Sequence, residues 1–315
     1  MLIEKSACQE ETCRDELIYY ESARNAMSAL LQAMVNRGLI NEVLLPGYIG
    51  WSPREGSGIF DPINSIAGLN RQYYKMKEDL SIDQEDLFTK ASNSKTVVLL
   101  VNYFGFRDEN ICEIVRRLKL GGVRIIEDNA HGMYTYFRHG RIGADATFFS
   151  LHKMLPFERG GALLLINDDL KKMAIPHQQG VNYSAMYDYD FGEIARKRTD
   201  NYLILDRMIR DKKYEDFFVP LKQDAAIKNA VPQSYPVLIK SGNRDKIYEI
   251  MNSAGFGVVS LYHTLIPELQ TDEFEESRKV SKYILNLPVH QDVEPKYYGM
   301  LLERLTVACV ETSVN

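Results

Sequence analysis

Three short apolar runs between residues 95 and 151 constrain this chain most. They are "KTVVLLVNYFG", "VRIIEDNAHG" and "DATFFSL". Apolar residues stand side by side in each without strict alternation, at Val97 to Val101, Ile125–Ile126 and Phe148–Phe149, as in a strand covered on both faces. Between the first two lies "DENICEIVRRLKLGG", an amphipathic stretch closed by glycines. A strand, a helix and a strand in that order form one unit of a mostly parallel sheet. A further run, "GALLLIN", follows the loop "HKMLPFERG". The fold class expected is α/β: a large three-layer α/β/α domain around a mostly parallel sheet.

The remainder fits around that unit. "SARNAMSALLQAMVNRG" places Ala26, Leu30 and Met34 four apart and reaches a stop at Gly38, which predicts a helix. A strand is expected over 43–45, ended by Pro46, with another strand and turn at "GIFDP" and a helix over 69–76. "HQQGVNYSAMYDYDFG" is rich in Tyr and Gly and reads as irregular, and "EIARKRTDNYLILDRMIRD" reads as a long helix. A second α/β series follows: strand "SYPVLIK", helix "RDKIYEIMNSAGF", strand "VVSLY", helix "EFEESRKVSKYIL" and strand "NLPVH". At 315 residues the chain exceeds one typical domain. The expected division is a large domain over 1–193 and a smaller C-terminal α/β domain over 194–315, packed directly because no linker composition intervenes.

Charge and cysteine usage exclude several classes. The formal net charge is −5 and no basic tract stands out, which argues against a general nucleic-acid surface. Cys8, Cys13, Cys112 and Cys309 form no metal-ligand pattern and read as free thiols in a reducing compartment. Glu4, Glu10, Glu11 and Asp15 make the N-terminus unlike a signal peptide. Apolar runs such as 97–101 are too short to span a membrane. A cytoplasmic protein is expected.

Ligands of open parallel sheets bind beyond the C-terminal strand ends. Polar residues collect there: Glu127, Asp128 and His131 after one run, Ser150, His152 and Lys153 after another, and Asn102 and Tyr103 after a third. A lysine and a carboxylate at one sheet edge suggest covalent amine chemistry. Pyridoxal phosphate demands a lysine amine for its aldehyde, a carboxylate for its pyridine nitrogen, and a helix start with a hydroxyl for its phosphate. Lys153, Asp128 and the start of the helix at Ser22–Ala23–Arg24–Asn25 supply these, with Ser150 as a further hydroxyl. Each has an ordinary alternative: an exposed lysine, a turn-capping aspartate, a simple N-cap, structural histidines at His131 and His152. Their order along the chain is more informative than any one of them.

These stretches resemble the sugar aminotransferases of the DegT/DnrJ/EryC1/StrS family, pyridoxal phosphate enzymes of fold type I. The resemblance runs from about residue 20 to 292 through "SARNAMSALLQAM", "EVLLPGYIGW", "VVLLVNYFGF", "VRIIEDNAHG", "GADATFFSLHKMLPFERGGALLLIN", "GVNYSAM", "RKRTDNY", "YPVLI" and "NLPVH". It implies that Lys153 is the Schiff-base lysine and proton shuttle and that Asp128 pairs with the pyridine nitrogen. His131 stands where many members have Gln and would contact the ring oxygen or phosphate region. Ser150 would bond the phosphate, with the backbone N–H groups of Ala23 and Arg24. Trp51 or Tyr48 would stack on the ring, and Asn182 would reach the phosphate of a second subunit's cofactor in a homodimer.

Two departures stand out. Lys153 follows Ser150 by three residues where many members have five, and Ser184 replaces an arginine. The implied reaction moves an amino group from a donor such as glutamate to a keto sugar, a nucleotide-linked sugar or a related carbonyl metabolite. The sugar dehydratases of the family carry His in place of the lysine, so Lys153 argues for amine transfer. A non-catalytic member with a regulatory or scaffolding role, and a pyridoxal phosphate lyase or decarboxylase, share the same core residues.

Overall fold

The structure, a computed structural model, describes residues 16–313 except 92, 177, 179, 211 and 223. Cys8, Cys13 and the acidic N-terminal residues lie outside the described residues, whereas Cys112 is exposed, Cys309 is buried and both are free.

The strands are β1 (Ile18–Tyr20), β2 (Glu42–Pro46), β3 (Asn70–Tyr74), β4 (Thr96–Val101), β5 (Arg124–Asp128), β6 (Ala146–Ser150), β7 (Gly161–Leu165), β8 (Phe218–Pro220), β9 (Ser234–Ile239) and β10 (Ile284–Pro288). The helices are α1 (Ala23–Asn36), α2 (Phe60–Asn64), α3 (Gln84–Lys90), α4 (Ile111–Leu120), α5 (Met133–His139), α6 (Leu151–Met154), α7 (Asp168–Lys171), α8 (Phe191–Ile209), α9 (Arg244–Ser253), α10 (Glu275–Tyr283) and α11 (Tyr298–Ser313). Seven strands form one sheet in the order β1-β7-β6-β5-β4-β2-β3. The pairs from β6 through β3 are parallel, and β7 runs antiparallel to both β6 and β1. This is the α/β class with a mostly parallel sheet. The unalternating apolar runs are buried on both faces, as at Val97, Val98, Ile125, Ile126, Phe148 and Phe149.

Helix α1 starts where the sequence indicates. Ser22 is its N-cap and its Oγ accepts from the N–H of Asn25 at 3.2 Å. The helix start lies hard against β7. A Cβ on Gly161 would come within 2.2 Å of the Ser22 carbonyl carbon, so only glycine permits this approach.

Three local expectations are corrected. "GIFDP" is not a strand: it forms the start of α2, where the Ser57 hydroxyl accepts from Phe60 N–H and Asp61 accepts from Ser57 N–H. Pro62 sits early in that helix, where its missing N–H costs nothing. Residues 69–76 are strand β3 rather than helix, paired in parallel with β2 and anchored by the Tyr74 hydroxyl, which donates to Leu99 O at 2.9 Å. "VVSLY" makes only a single bridge, Val259 to Asn286, because Tyr262 adopts a φ of 59° that turns the chain out of extended geometry. Helices α3, α5 and α11 had no sequence expectation.

The second sheet, β10-β9-β8, is antiparallel and lies wholly after residue 194. The expected boundary falls in the first turn of α8, which ties the halves together. Buried Arg198 of α8 stacks over Tyr134 of α5 at 5.2 Å and donates from Nη1 to Pro232 O and Gln233 O, and from Nε to Gln291. Asn201, one turn on, donates to His290 O and Val293 O. Buried apolar residues of both sheets form one continuous core. Among the described residues no helix is long and apolar enough to cross a membrane.

Candidate active site

A cavity of about 290 Å³ opens at the C-terminal ends of β5 and β6. Asp128, His131, Ser150, His152 and Lys153 form one side of it, and the start of α1 at Ser22–Ala23–Arg24 another. The loop 49–59 and the segment 260–263, from the far half of the chain, complete the wall.

Lys153 reaches the cavity because the chain leaves β6 at Ser150 and enters the single-turn helix α6. The three-residue spacing is one helical turn, so Ser150 and Lys153 both line the cavity despite the short interval. The Lys153 amine lies 3.1 Å from His131 Nε2. It is open to the cavity but ringed by protein, and this desolvation lowers its pKa, opposed by the charges of Asp128 and Glu55 and assisted by that of Arg24. Ser150 Oγ lies 3.3 Å from His152 Nδ1, so His152 turns toward the serine rather than taking the place of Lys153.

Asp128 and Glu127 are adjacent and face opposite ways, as successive strand residues must. The Asp128 carboxylate accepts from Ala130 N–H at 2.8 Å. Burial pushes its pKa up from 3.8 to about 6, against the lowering effects of that hydrogen bond and of Lys153. Glu127 does not reach the cavity. It sits in a buried network behind β5, accepting from Asn102 at 2.8 Å and from Arg107 at 3.1 Å, and Asn102 also donates to Asn129. Asn102 and Tyr103 therefore brace the site rather than line it.

The start of α1 presents the N–H groups of Ala23 and Arg24 with no acidic residue in the first turn. Unpartnered amides at the positive end of a helix suit an anion. The Arg24 guanidinium donates to Glu55 O at 2.6 Å, which fixes the loop over this helix start.

The two aromatic candidates separate clearly. Trp51 lines the cavity and is 42% exposed. Tyr48 is a correction: its ring is fully buried under Tyr103 and Tyr262, its hydroxyl has no partner, and it does not line the cavity. A shift of three residues along an irregular loop reverses the direction of a side chain, and no periodicity in the sequence reports it. Asn182 is exposed, does not line this cavity, and accepts from Ser184 N–H at 2.8 Å.

Tyr262 also lines the cavity. Its ring packs at 5.7 Å from His131, and its pKa is raised by burial and by Asp128. A Cβ on Gly50 would strike the Tyr262 ring at 2.4 Å, so Gly50 makes room for it. Non-glycine residues at positive φ gather at functional sites. His263 also borders the cavity, whereas His290 does not.

The donor set fits pyridoxal phosphate on three independent observations: an accessible lysine amine, a buried carboxylate opposite it, and a helix start whose first amides, at Ala23 and Arg24, border the cavity. Lys153, Asp128, and Ala23, Arg24 and Ser150 would hold the group in that order.

Comparison with known proteins agrees. No curated protein sequence matches the chain. Among solved structures, PseC of Helicobacter pylori, an aminotransferase involved in the biosynthesis of pseudoaminic acid, is similar at a TM-score of 0.72 and 16% identity, over 94% of this chain and 87% of that one. The sugar aminotransferase CalS13 of Micromonospora echinospora is similar at 0.70 and 14%, over 92% and 87%. The GDP-4-keto-6-deoxy-D-mannose-3-dehydratase of E coli, with bound hydrated PLP, is similar at 0.68 and 16%, over 92% and 87%. These likenesses establish the fold. Residues 67–191, which carry β3 through β7 with Asp128 and Lys153, match the sequence model of the DegT/DnrJ/EryC1/StrS aminotransferase family.

Proposed function

We propose that the protein is a pyridoxal phosphate-dependent aminotransferase that moves an amino group from a donor such as glutamate to a keto sugar, a nucleotide-linked sugar or a related carbonyl metabolite. The observation that carries this is the convergence of the Lys153 amine, the Asp128 carboxylate and the start of α1 on one cavity. The bound cofactor would act as an electron sink that lowers the cost of removing a proton from the carbon bearing the amine.

The residues supply the rest. Lys153 holds the cofactor aldehyde and, once released by the donor, is the base placed to take and return that proton. Burial favours its neutral form, which such a base requires. Asp128 would hold a proton at the pyridine nitrogen. The Ala23 and Arg24 N–H groups and Ser150 would hold the phosphate, Trp51 would cover the ring, and His131 would contact the group from beside Lys153. The exposed position of Asn182 suits a contact across a homodimer, and the cytoplasm suits the free thiols.

The test is spectroscopic. Protein mixed with pyridoxal phosphate should show a visible band that borohydride removes, with the adduct mapped to Lys153. Glutamate should bleach the band and release 2-oxoglutarate in a stoichiometric half-reaction. Lys153→Ala should fold, bind no cofactor covalently and release none. A colourless wild-type protein would overturn the cofactor assignment, and carbon dioxide or an eliminated group in place of the keto acid would move the reading to a decarboxylase or lyase.

A further inference from the structure

The cavity contains a hydrogen-bond relay that the reaction outlined above does not use. Between β4 and α4 the chain makes a tight turn in which Phe104 takes φ 56° and ψ 20°, a left-handed conformation unusual for a bulky residue. Both peptide planes that flank it are held. Phe104 O accepts from Gln233 N–H at 2.8 Å, and Phe104 N–H donates to His131 Nδ1 at 3.4 Å. The next residue is Gly105 at φ 90°, where a Cβ would come within 2.4 Å of Val231 O. The Phe104 ring stacks on the His131 ring at 6.2 Å and 24°. The turn is therefore fixed from several directions, and it aims one backbone donor at one histidine nitrogen.

We propose that the Phe104 N–H locks His131 in its Nε2–H tautomer, and that the Nε2–H in turn holds the Lys153 amine uncharged, as a hydrogen-bond acceptor.

The steps follow from donor and acceptor chemistry. A backbone N–H can only donate, so Nδ1 must carry the lone pair. His131 is buried, and this desolvation drives its pKa well below the usual histidine range, so the ring is neutral. A neutral ring with a bare Nδ1 carries its proton on Nε2. That nitrogen faces the Lys153 amine at 3.1 Å. An ammonium has no lone pair and cannot accept, so the amine completes the relay only when neutral. Protonating Lys153 would force the His131 proton onto Nδ1, where it would meet the Phe104 N–H donor to donor.

The surrounding charges leave this balance to the relay. Asp128 from β5 and Glu55 from the loop favour the ammonium, whereas burial and Arg24 oppose it. His152 turns to Ser150, and the Tyr262 ring flanks His131. His131 is thus a positioning residue acting through Lys153. A glutamine here, as in many relatives by resemblance, imposes no such polarity, because its amide offers an oxygen as readily as an N–H.

The importance of the relay for catalysis rests on the reading of Lys153 as the cofactor lysine, but the relay itself can be tested without cofactor. The measurement is the rate at which trinitrobenzenesulfonate arylates Lys153 in cofactor-free protein as a function of pH, read on the Lys153 peptide by mass spectrometry. Exposed Lys172 in the same digest is the internal reference. The wild-type midpoint for Lys153 should lie at least about one pH unit below that of Lys172, a tenfold larger neutral fraction at neutral pH. His131→Gln should raise the Lys153 midpoint and slow its arylation about tenfold at pH 7.5, leaving Lys172 unchanged. Nitrogen NMR of the wild-type imidazoles should show His131 protonated on Nε2 alone, which keeps the test decisive if the variant folds poorly. A His131→Gln profile that superimposes on wild type, or an Nδ1–H tautomer, would overturn the proposal. Failure of the cofactor reading would appear elsewhere, as absence of the borohydride-sensitive band with an intact arylation profile.

Discussion

Asp128 should cost the cofactor-free protein stability, and Asp128→Asn should recover it. The side chain is 4% exposed, and burial raises its pKa from 3.8 to about 6. In the unfolded chain the group loses its proton near 3.8, so between pH 4 and 6 the folded state binds more protons than the unfolded state. Stability therefore falls as pH rises through this window, and above pH 6 the penalty is constant. At about 1.36 kcal/mol per pH unit the interval corresponds to about 3 kcal/mol, a large part of a typical net stability of roughly 5–15 kcal/mol. Asparagine keeps the shape and the oxygen that accepts from Ala130 N–H, and removes the charge. Urea unfolding followed by far-UV circular dichroism should find the cofactor-free variant about 2–3 kcal/mol more stable than wild type at pH 7.5, and nearly equal to it at pH 4. Saturating pyridoxal phosphate should stabilise wild type much more than the variant, since ligand binding to the folded state adds stability in proportion to affinity. A gap that does not change with pH, or a variant less stable than wild type at pH 7.5, would refute the reasoning. The same charge that burdens the empty site would then hold a proton at the cofactor nitrogen.

Two further outcomes follow from packing. Gly161→Ala should push the start of α1 off β7, because the new Cβ would lie 2.2 Å from the Ser22 carbonyl carbon and 2.3 Å from Ala23 N; the cost should be roughly 1–3 kcal/mol, and half-saturation with pyridoxal phosphate, read by absorbance, should need at least about tenfold more cofactor. Arg198→Met should leave Pro232 O, Gln233 O and Gln291 without their buried donor and cost about 2–4 kcal/mol in urea unfolding, with amide exchange accelerating first along α8 and residues 231–233.

Much of the frame was legible in the residues themselves. Short apolar runs without alternation, rich in β-branched and aromatic residues, read as strands covered on both faces, so β4, β5 and β6 were legible, and so were the polar residues at their ends. Ser22 followed by a four-residue apolar repeat announced α1 and its amide-bearing start. Lys153 and Asp128 came together because both follow buried strands that neighbour each other in the sheet.

Other features depended on contacts between distant parts of the chain. The strand β3 reads locally as a helix and becomes a strand only because β2 offers it a partner. Tyr48 and Trp51 stand three apart in one loop, yet one is sealed under Tyr103 and Tyr262 while the other faces the cavity. The third wall comes from residues 260–263, more than a hundred positions after Lys153, and the left-handed turns at Phe104 and Tyr262 have no glycine to announce them. Periodicity reports which face of an element is buried, because that is a property of neighbouring residues. Which way a loop side chain points, and which nitrogen of His131 meets a donor, is decided by packing across the fold. Sequence alone singled out Lys153, Asp128 and the start of α1; only the tertiary structure brought them to one cavity and set the hydrogen-bond partner of Lys153, because such contacts join residues far apart in the chain.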